Sequence, residues 1–500
     1  MNWIRLHPLQ AALRGAWIAF ASLAGGALAG AIAWLPLRLD PPVALLLGGA
    51  AGLALAALWT RQQRAALRGD ARTARGWGIA LLAVPLAAIL AVGAVSAKQM
   101  IDAGVWQAPG EDRLAAFDRL WRAMRDNYPF FDLKDVDWED AYARYRPQVA
   151  GARDDDAYFN AIAAMLAELG DGHTELRSPY PRLDCYGTAV EIEGQILLNQ
   201  PGYSATTAGL ERGMALRAVQ GRGIDDAIAA LDVRLRDGST PRQRRHTAIN
   251  NLLCAPLDQP LDVTVETAAG EERDVTLTVV KAPQGAGEAP PLVTAERLPS
   301  GHGLIRVPVF YNRNGHDVVA EFDAALDALM DAPGIILDLR GNGGGGTMVA
   351  DGVAGRFYRQ PFTYIRQTFR QALPLRIWRT ITDWQVAPRG AAYDGPVVLL
   401  IDVSNASSAE DFIVSMTDSG RARTVGRATG GMSGNPIDFS LPGGGEARFS
   451  TGDIRRMNGQ RIEGAGVTPD VPVAWTVDDF RSGRDPDVAA AVALLQSAAP

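Results

Sequence analysis

Val397–Phe412 reads VVLLIDVSNASSAEDF. Five apolar residues run into a short polar turn, and the turn runs into a helical start. This is a buried strand, a junction and a helix, the repeating unit of an α/β sheet. A serine at such a junction is exposed at the strand end. The helix N-terminus behind it favours negative charge developing during acyl transfer. Taken alone, Ser407 or Ser408 also reads as a plain N-cap.

Working upstream, Gly334–Gly346 reads GIILDLRGNGGGG. Consecutive glycines directly after a buried strand let backbone N–H groups approach a ligand closely. No GK[ST] follows, which argues against a phosphate loop. HGLIRVPVF reads as a further strand and VVAEFDAALDALM as an amphipathic helix, so from residue 292 onward strands and helices alternate.

The segment before this one is different. Leu261–Val280 and Ala189–Asn199 alternate as strands, and between them TAGLERGMALRAVQGRGIDDAIAAL resembles a PDZ domain, with Arg234–Asn251 as an insertion. A generic β-rich domain is the alternative. Ala282–Pro291 punctuates like a linker. Further upstream, Asp112–Gly170 is helical by pattern: Leu114, Phe117, Leu120, Trp121 and Met124 share one face. A small helical bundle ends there in Leu169–Thr174, LGDGHT.

The first hundred residues are Ala-, Leu- and Gly-rich. Gly15–Leu37, Val43–Trp59 and Gly76–Ala97 carry no charge, and each is about the ~20 residues that cross a bilayer. Gly26/Gly30 and Gly48/Gly52 have GxxxG spacing, from helix packing or from composition alone. The loop after the second span holds Arg61, Arg64, Arg68, Arg72 and Arg75, against Arg38 alone after the first. That loop is expected inside, and the chain after Lys98 outside. An oxidising compartment permits a Cys185–Cys254 disulfide; two buried thiols are the other reading.

The 500 residues carry a net charge of −7 and no basic tail, which argues against nucleic acid as partner. No CxxC, HExxH or Cys/His cluster appears, so neither metal nor cofactor is expected. Lysine occurs only at 98, 134 and 281.

Together and in this order, LGDGHT, a PDZ-like insert, DLRGNGGG, SSAEDF, GRATGG and EGAGVTPD resemble the tail-specific (C-terminal processing) serine protease family. The resemblance implies a crotonase-like α/β core of βαβ units. Its domains are an anchor of three transmembrane helices at 1–105, the helical bundle at 106–183 and the PDZ-like domain at 184–282. A linker at 283–291, the catalytic domain at 292–480 and a C-terminal tail or helix at 481–500 complete it. It also implies a nucleophile three residues before the Glu of SxxE, which is Ser407 before Glu410. The Ser–Lys branch needs a lysine about twenty-five positions later, where this chain has Met432. The chain therefore resembles the His-dependent branch, that of tricorn protease and interphotoreceptor retinoid-binding protein modules. His173 becomes the base and Glu463 its support. Tricorn has a serine before its histidine, and Gly172 stands there, leaving the His173–Glu463 link direct, through Thr174 or through water. With Glu463 ionised beside it, His173 is expected to titrate near or somewhat above ~6.5. The oxyanion hole falls to the N–H of Ser408 and of Gly344 or its neighbour Gly343. The expected protein is an inner-membrane endopeptidase whose catalytic domain is periplasmic or extracellular. It takes polypeptides, through their C-terminal tails where the PDZ-like domain binds them. The competing readings are a catalytically silent peptide- or apolar-ligand-binding module on the same fold, and a membrane sensor.

Overall fold

The computed structural model describes residues 111–179, 183–281, 291–371 and 377–497, with Arg61 and Arg68 alone before them. The three predicted membrane spans and most of the predicted linker lie outside the described residues. Among the described residues no helix is long and apolar enough to cross a membrane.

The site is organised by a six-stranded sheet in the order Thr294–Arg297, Gly303–Arg306, Ile335–Asp338, Val397–Ile401, Ala422–Gly426, Val471–Pro472. The first pair is antiparallel and the rest are parallel. Apolar side chains on alternating sides bury both faces, as parallel strands require. Ile335, Leu337, Val397, Leu399 and Ile401 meet Phe322, Val353, Phe412 and Ile413 from the helices of one face. Ile336, Val398 and Leu400 meet Ala491 and Leu495 on the other. Those last two belong to Pro486–Ser497, so the stretch read as a tail or helix is a helix. Registered parallel strands end together, so the loops after Asp338 and Ile401 emerge side by side. Ligand sites of open α/β sheets lie at this edge.

The bundle helices Arg113–Asn127, Trp138–Ala150 and Asp155–Ala167 are each capped by an aspartate: Asp112, Asp137 and Asp154 accept first-turn N–H groups. Trp121 and Trp138 fasten two of them by donating to each other's carbonyls at 2.9 and 3.1 Å. The bundle does not close on itself. Its core continues into Phe439, Ala447 and Phe449 of the sheet formed by Glu175–Arg177, Glu446–Phe449 and Ile437–Ser440. Bundle and catalytic region therefore share one apolar interior, which seats the turn after the bundle beside the sheet edge.

The β-rich insert is an antiparallel sheet, Gly187–Ile192, Gln195–Pro201, Ala215–Val219, Leu261–Glu266 and Glu272–Leu277, with its own core. Cys185 and Cys254 are bonded across the paired strands at its neck. Much of the segment read as an insertion is the helix Pro241–Asn250, and that helix docks on the catalytic loops. Thr240 Oγ1 donates to Gly430 O at 2.9 Å, and Arg242 donates to Thr429 O at 2.7 Å and Ala465 O at 2.6 Å. A run of arginines gave no apolar stripe to reveal this, because the contacts are polar.

Candidate active site

Ser407 closes the turn after Val397–Ile401 and immediately precedes the helix Ser408–Asp418. Its backbone has φ 57° and ψ −131°. A non-glycine residue there costs on the order of 1–3 kcal/mol and persists only where its surroundings enforce it. Here they do. Ser407 N donates to Met432 O at 2.7 Å, and Ser407 O accepts from Glu410 N at 2.8 Å. Asn405 donates to Leu339 O at 2.6 Å and Asn342 O at 3.1 Å, tying this turn to the glycine loop. A serine on a sharp strand-to-helix turn presents its hydroxyl outward, as a nucleophile must.

Glu410 acts one step back. Its carboxylate accepts from Gly431 N at 2.9 Å, Met432 N at 2.8 Å and the Thr429 hydroxyl. It therefore holds the loop whose carbonyl receives Ser407 N. Burial pushes the Glu410 carboxyl up to about 8, against the pull of those three bonds.

The glycine loop lies directly against the Ser407 turn. Gly344 has φ +98°, and a Cβ on it would fall 2.6 Å from Ala406 O and 3.1 Å from Ser408 N. No side chain fits. One expectation changes here: the Gly344 N–H already donates to Asn342 Oδ1 at 2.8 Å. Gly344 brings the chain close but has no proton to offer. The N–H groups of Gly343 and Ser408 carry no bond among the described residues.

His173 is held by a turn that Asp171 folds. Asp171 accepts from His173 N at 2.9 Å and from the Thr174 hydroxyl at 2.8 Å. Gly172 N donates to Ser239 of the insert at 2.9 Å. The imidazole is buried, and its Nδ1 has no hydrogen-bond partner. Burial pushes its pKa down to about 4; Asp171 opposes the shift and Arg448 adds to it. This corrects the expectation of a value at or above ~6.5. Among the described residues no carboxylate is hydrogen-bonded to the ring, and desolvation disfavours the cation.

Ser407, His173, Gly343 and Gly344 border one cavity of about 690 Å³. Neither Ser407 Oγ nor His173 Nε2 is hydrogen-bonded to any described residue.

Glu463 is not brought onto His173. Its carboxylate accepts from Lys134 Nζ at 2.6 Å and from Ser433 N at 2.9 Å. Burial, with Asp171 nearby, pushes it up to about 8 against the pull of Lys134. Thr174 does not bridge the two, since its hydroxyl is spent on Asp171. The departure at Gly172 has a steric counterpart. A Cβ there would lie 2.6 Å from Met432 Cε and 2.8 Å from its Sδ. Met432, at the position of the other branch's lysine, occupies the space a serine at 172 needs. Sequence reasoning missed Lys134 as a partner; its rarity was the only signal. It also missed Asp171 and the Met432–Gly172 contact, which no spacing reveals.

Residues 301–473 match the model of peptidase family S41, and residues 109–167 match the tricorn protease C1 domain. The chain is 21% identical over 376 residues to Carboxyl-terminal-processing peptidase 3, chloroplastic, of Arabidopsis thaliana, spanning 70% of this chain and 67% of that protein. It is 26% identical over 375 residues to the Carboxyl-terminal-processing protease of Picosynechococcus, spanning 70% and 81%. Tricorn protease homolog 1 of Streptomyces coelicolor is 25% identical over 415 residues, which cover 78% of this chain but only 36% of that protein. The crystal structure of mature CPAF matches the fold with a TM-score of 0.64 at 15% identity, over 78% of this chain and 98% of that one. Fold and matched domains define a serine-type peptidase. The chain belongs to peptidase family S41, with a tricorn-type C1 domain ahead of its catalytic region.

Proposed function

We propose that this chain is a membrane-anchored serine endopeptidase acting on extracytoplasmic polypeptides, with Ser407 as nucleophile and His173 as general base. One observation carries the assignment: a serine locked in a left-handed turn borders the same cavity as a buried, neutral histidine. Ser407 Oγ attacks the scissile carbonyl while His173 takes its proton. The N–H groups of Ser408 and Gly343 stabilise the oxyanion. His173 then protonates the leaving amine, and water releases the acyl group from Ser407 by the reverse proton path. Gly344 and Glu463 are positioning residues: Gly344 sets the approach of the loop, and Glu463 acts through Lys134 and Ser433.

The domain reading follows the sequence boundaries. Three crossings within 1–105 anchor the chain with the Arg61–Arg75 loop inside, and the catalytic domain stands in the periplasm or outside the cell. The Cys185–Cys254 bond supports an oxidising location. The insert is read as PDZ-like and the core as crotonase-like, with substrate tails presented by the insert. A serine-directed fluorophosphonate tests the chemistry: the wild type should be labelled and Ser407→Ala should not. Labelling that survives in Ser407→Ala but is lost in Ser408→Ala moves the nucleophile by one residue. An alkaline-phosphatase fusion at the C-terminus should be active and one in the Arg61–Arg75 loop inactive; the opposite result inverts the topology.

A further inference from the structure

Two polar atoms beside the proposed base are left without a partner. His173 Nδ1 and Ser450 Oγ are both sealed from water, and neither has a hydrogen bond among the described residues. An unpaired buried polar atom costs about 1–3 kcal/mol. These two complement each other, since an imidazole N–H donates and a hydroxyl oxygen accepts.

Strand register brings them together. Glu175, Leu176 and Arg177 pair with Arg448, Ala447 and Glu446 in an antiparallel ladder. Carried two residues further, the same register sets His173 opposite Ser450. The two chains stay in contact there, because Ser450 N donates to the Thr174 hydroxyl at 3.4 Å. Side chains opposite each other on one face of such a pair have Cβ atoms about 4.5–5.5 Å apart, which a hydroxyl and a ring nitrogen can bridge. His173 reaches the cavity while its Nδ1 is sealed, so the ring turns that nitrogen to the interior.

The other neighbours cannot serve. Gly172 has no side chain, the Thr174 hydroxyl is spent on Asp171, and Glu463 is held by Lys134 and Ser433. The Ser450 hydroxyl is turned to Gly434, where an added Cβ would collide with it. Gly434 follows Ser433, so Ser450 lies between the base and the loop that Glu463 holds. Rotation about its one Cα–Cβ bond redirects the hydroxyl.

We infer that Ser450 is a positioning residue for His173: its hydroxyl accepts a hydrogen bond from Nδ1–H. The bond fixes the tautomer with its proton on Nδ1, which leaves the Nε2 lone pair free to take the Ser407 proton. As the ring becomes cationic, Nδ1–H becomes a stronger donor and the bond tightens. The positioning role rests on the peptidase reading of Ser407 and His173; the pairing itself does not.

The test uses the full-length protein carrying isotopically labelled histidine, with His173→Gln assigning the His173 signals. Nitrogen NMR reports which ring nitrogen holds the proton. At pH 7, where the ring is neutral, the wild type should hold it on Nδ1. Ser450→Ala should mix the two tautomers. It should also lower kcat at least about tenfold, part of the ~10²–10⁴ that a positioned base contributes, with KM little changed. Its melting temperature should hold or rise, since the change removes an unpaired buried hydroxyl. Ser450→Thr keeps the hydroxyl and should restore both tautomer and rate. A wild-type ring protonated on Nε2 overturns the inference. So does a tautomer that Ser450→Ala leaves unchanged, even where the rate falls. A tautomer that responds while Ser407 takes up no fluorophosphonate leaves the pairing in place and removes the peptidase reading instead.

Discussion

Lys134 of the bundle and Glu463 of the catalytic region meet at 2.6 Å, both withdrawn from water. The same ammonium donates to Gly170 O at 2.7 Å, at the start of the turn that carries His173. One side chain thus joins the bundle, the base-bearing turn and the loop at 463. Lys134→Met should cost about 1–3 kcal/mol, the loss of two buried hydrogen bonds, to Gly170 O and to the Glu463 carboxyl, which keeps only Ser433 N. Adding Glu463→Gln should add little, because the two share one interaction. Urea unfolding of both single variants and the double variant checks this; additive losses would mean the contact is unimportant.

On the proposed mechanism, the depressed pKa of His173 sets the acid limit of activity. With the imidazole neutral down to about 4, kcat/KM should hold through pH 6 and fall only toward 4. A limb centred near 6.5 would contradict the buried, unpaired ring. Stability follows with a definite sign. A depressed histidine pKa contributes stability above its unfolded value of ~6.5, and loses it as pH falls from there through 4. Glu410 and Glu463 are raised to about 8, so their contribution has the opposite course. It is full below the unfolded carboxylate range and is lost as pH rises through 8. Unfolding free energy measured across this range should decline at both ends.

Gly172 and Met432 exclude each other. Gly172→Ala should cost about 1–3 kcal/mol through overpacking against the thioether. Met432→Ala in the same chain should recover most of that loss, since it vacates the overlapped volume. The double variant gives the decision by its melting temperature: no recovery would place the strain elsewhere.

Gly344→Ala should lower kcat by about 10²–10³, because the displaced loop no longer holds the proposed oxyanion donor Gly343 N–H in place, and losing one such donor has this effect. The added methyl meets the backbone at Ala406 O, and no side-chain rotation relieves it. The rate of fluorophosphonate labelling should fall with kcat, whereas circular dichroism should remain that of the wild type. Unaltered labelling would show that the loop does not shape the oxyanion site.

The α/β core was legible because burial imposes a pattern. Val397–Ile401 and Ile335–Asp338 are apolar on both faces, and the glycines after the second announce a loop with no room for side chains. The bundle was equally open, since its apolar face repeats at helical spacing. Ser407 and His173 were singled out by motif order, which carries long-range information that periodicity lacks, and the structure places both on one cavity. What stayed hidden is polar and non-local. Lys134 reaches Glu463 across 329 positions, and Arg242 reaches Ala465 across 223. A pair of this kind leaves no local trace, because either residue alone looks like a solvated surface charge. The state of His173 was misjudged for the same reason: it depends on which groups fail to reach the ring.

Ribosomes deliver the chain from its N-terminus, and domains fold as they emerge. His173 and Lys134 appear early, and Ser407 follows. Met432, whose carbonyl takes the Ser407 N–H, and Glu463, which takes Lys134, come last. A half-made molecule therefore carries Ser407 without the loop that locks it, and the His173 turn without the Lys134–Glu463 contact that steadies it. On the proposed mechanism, the serine reaches its reactive geometry only once residue 432 has been made, so reactivity waits until synthesis is nearly complete.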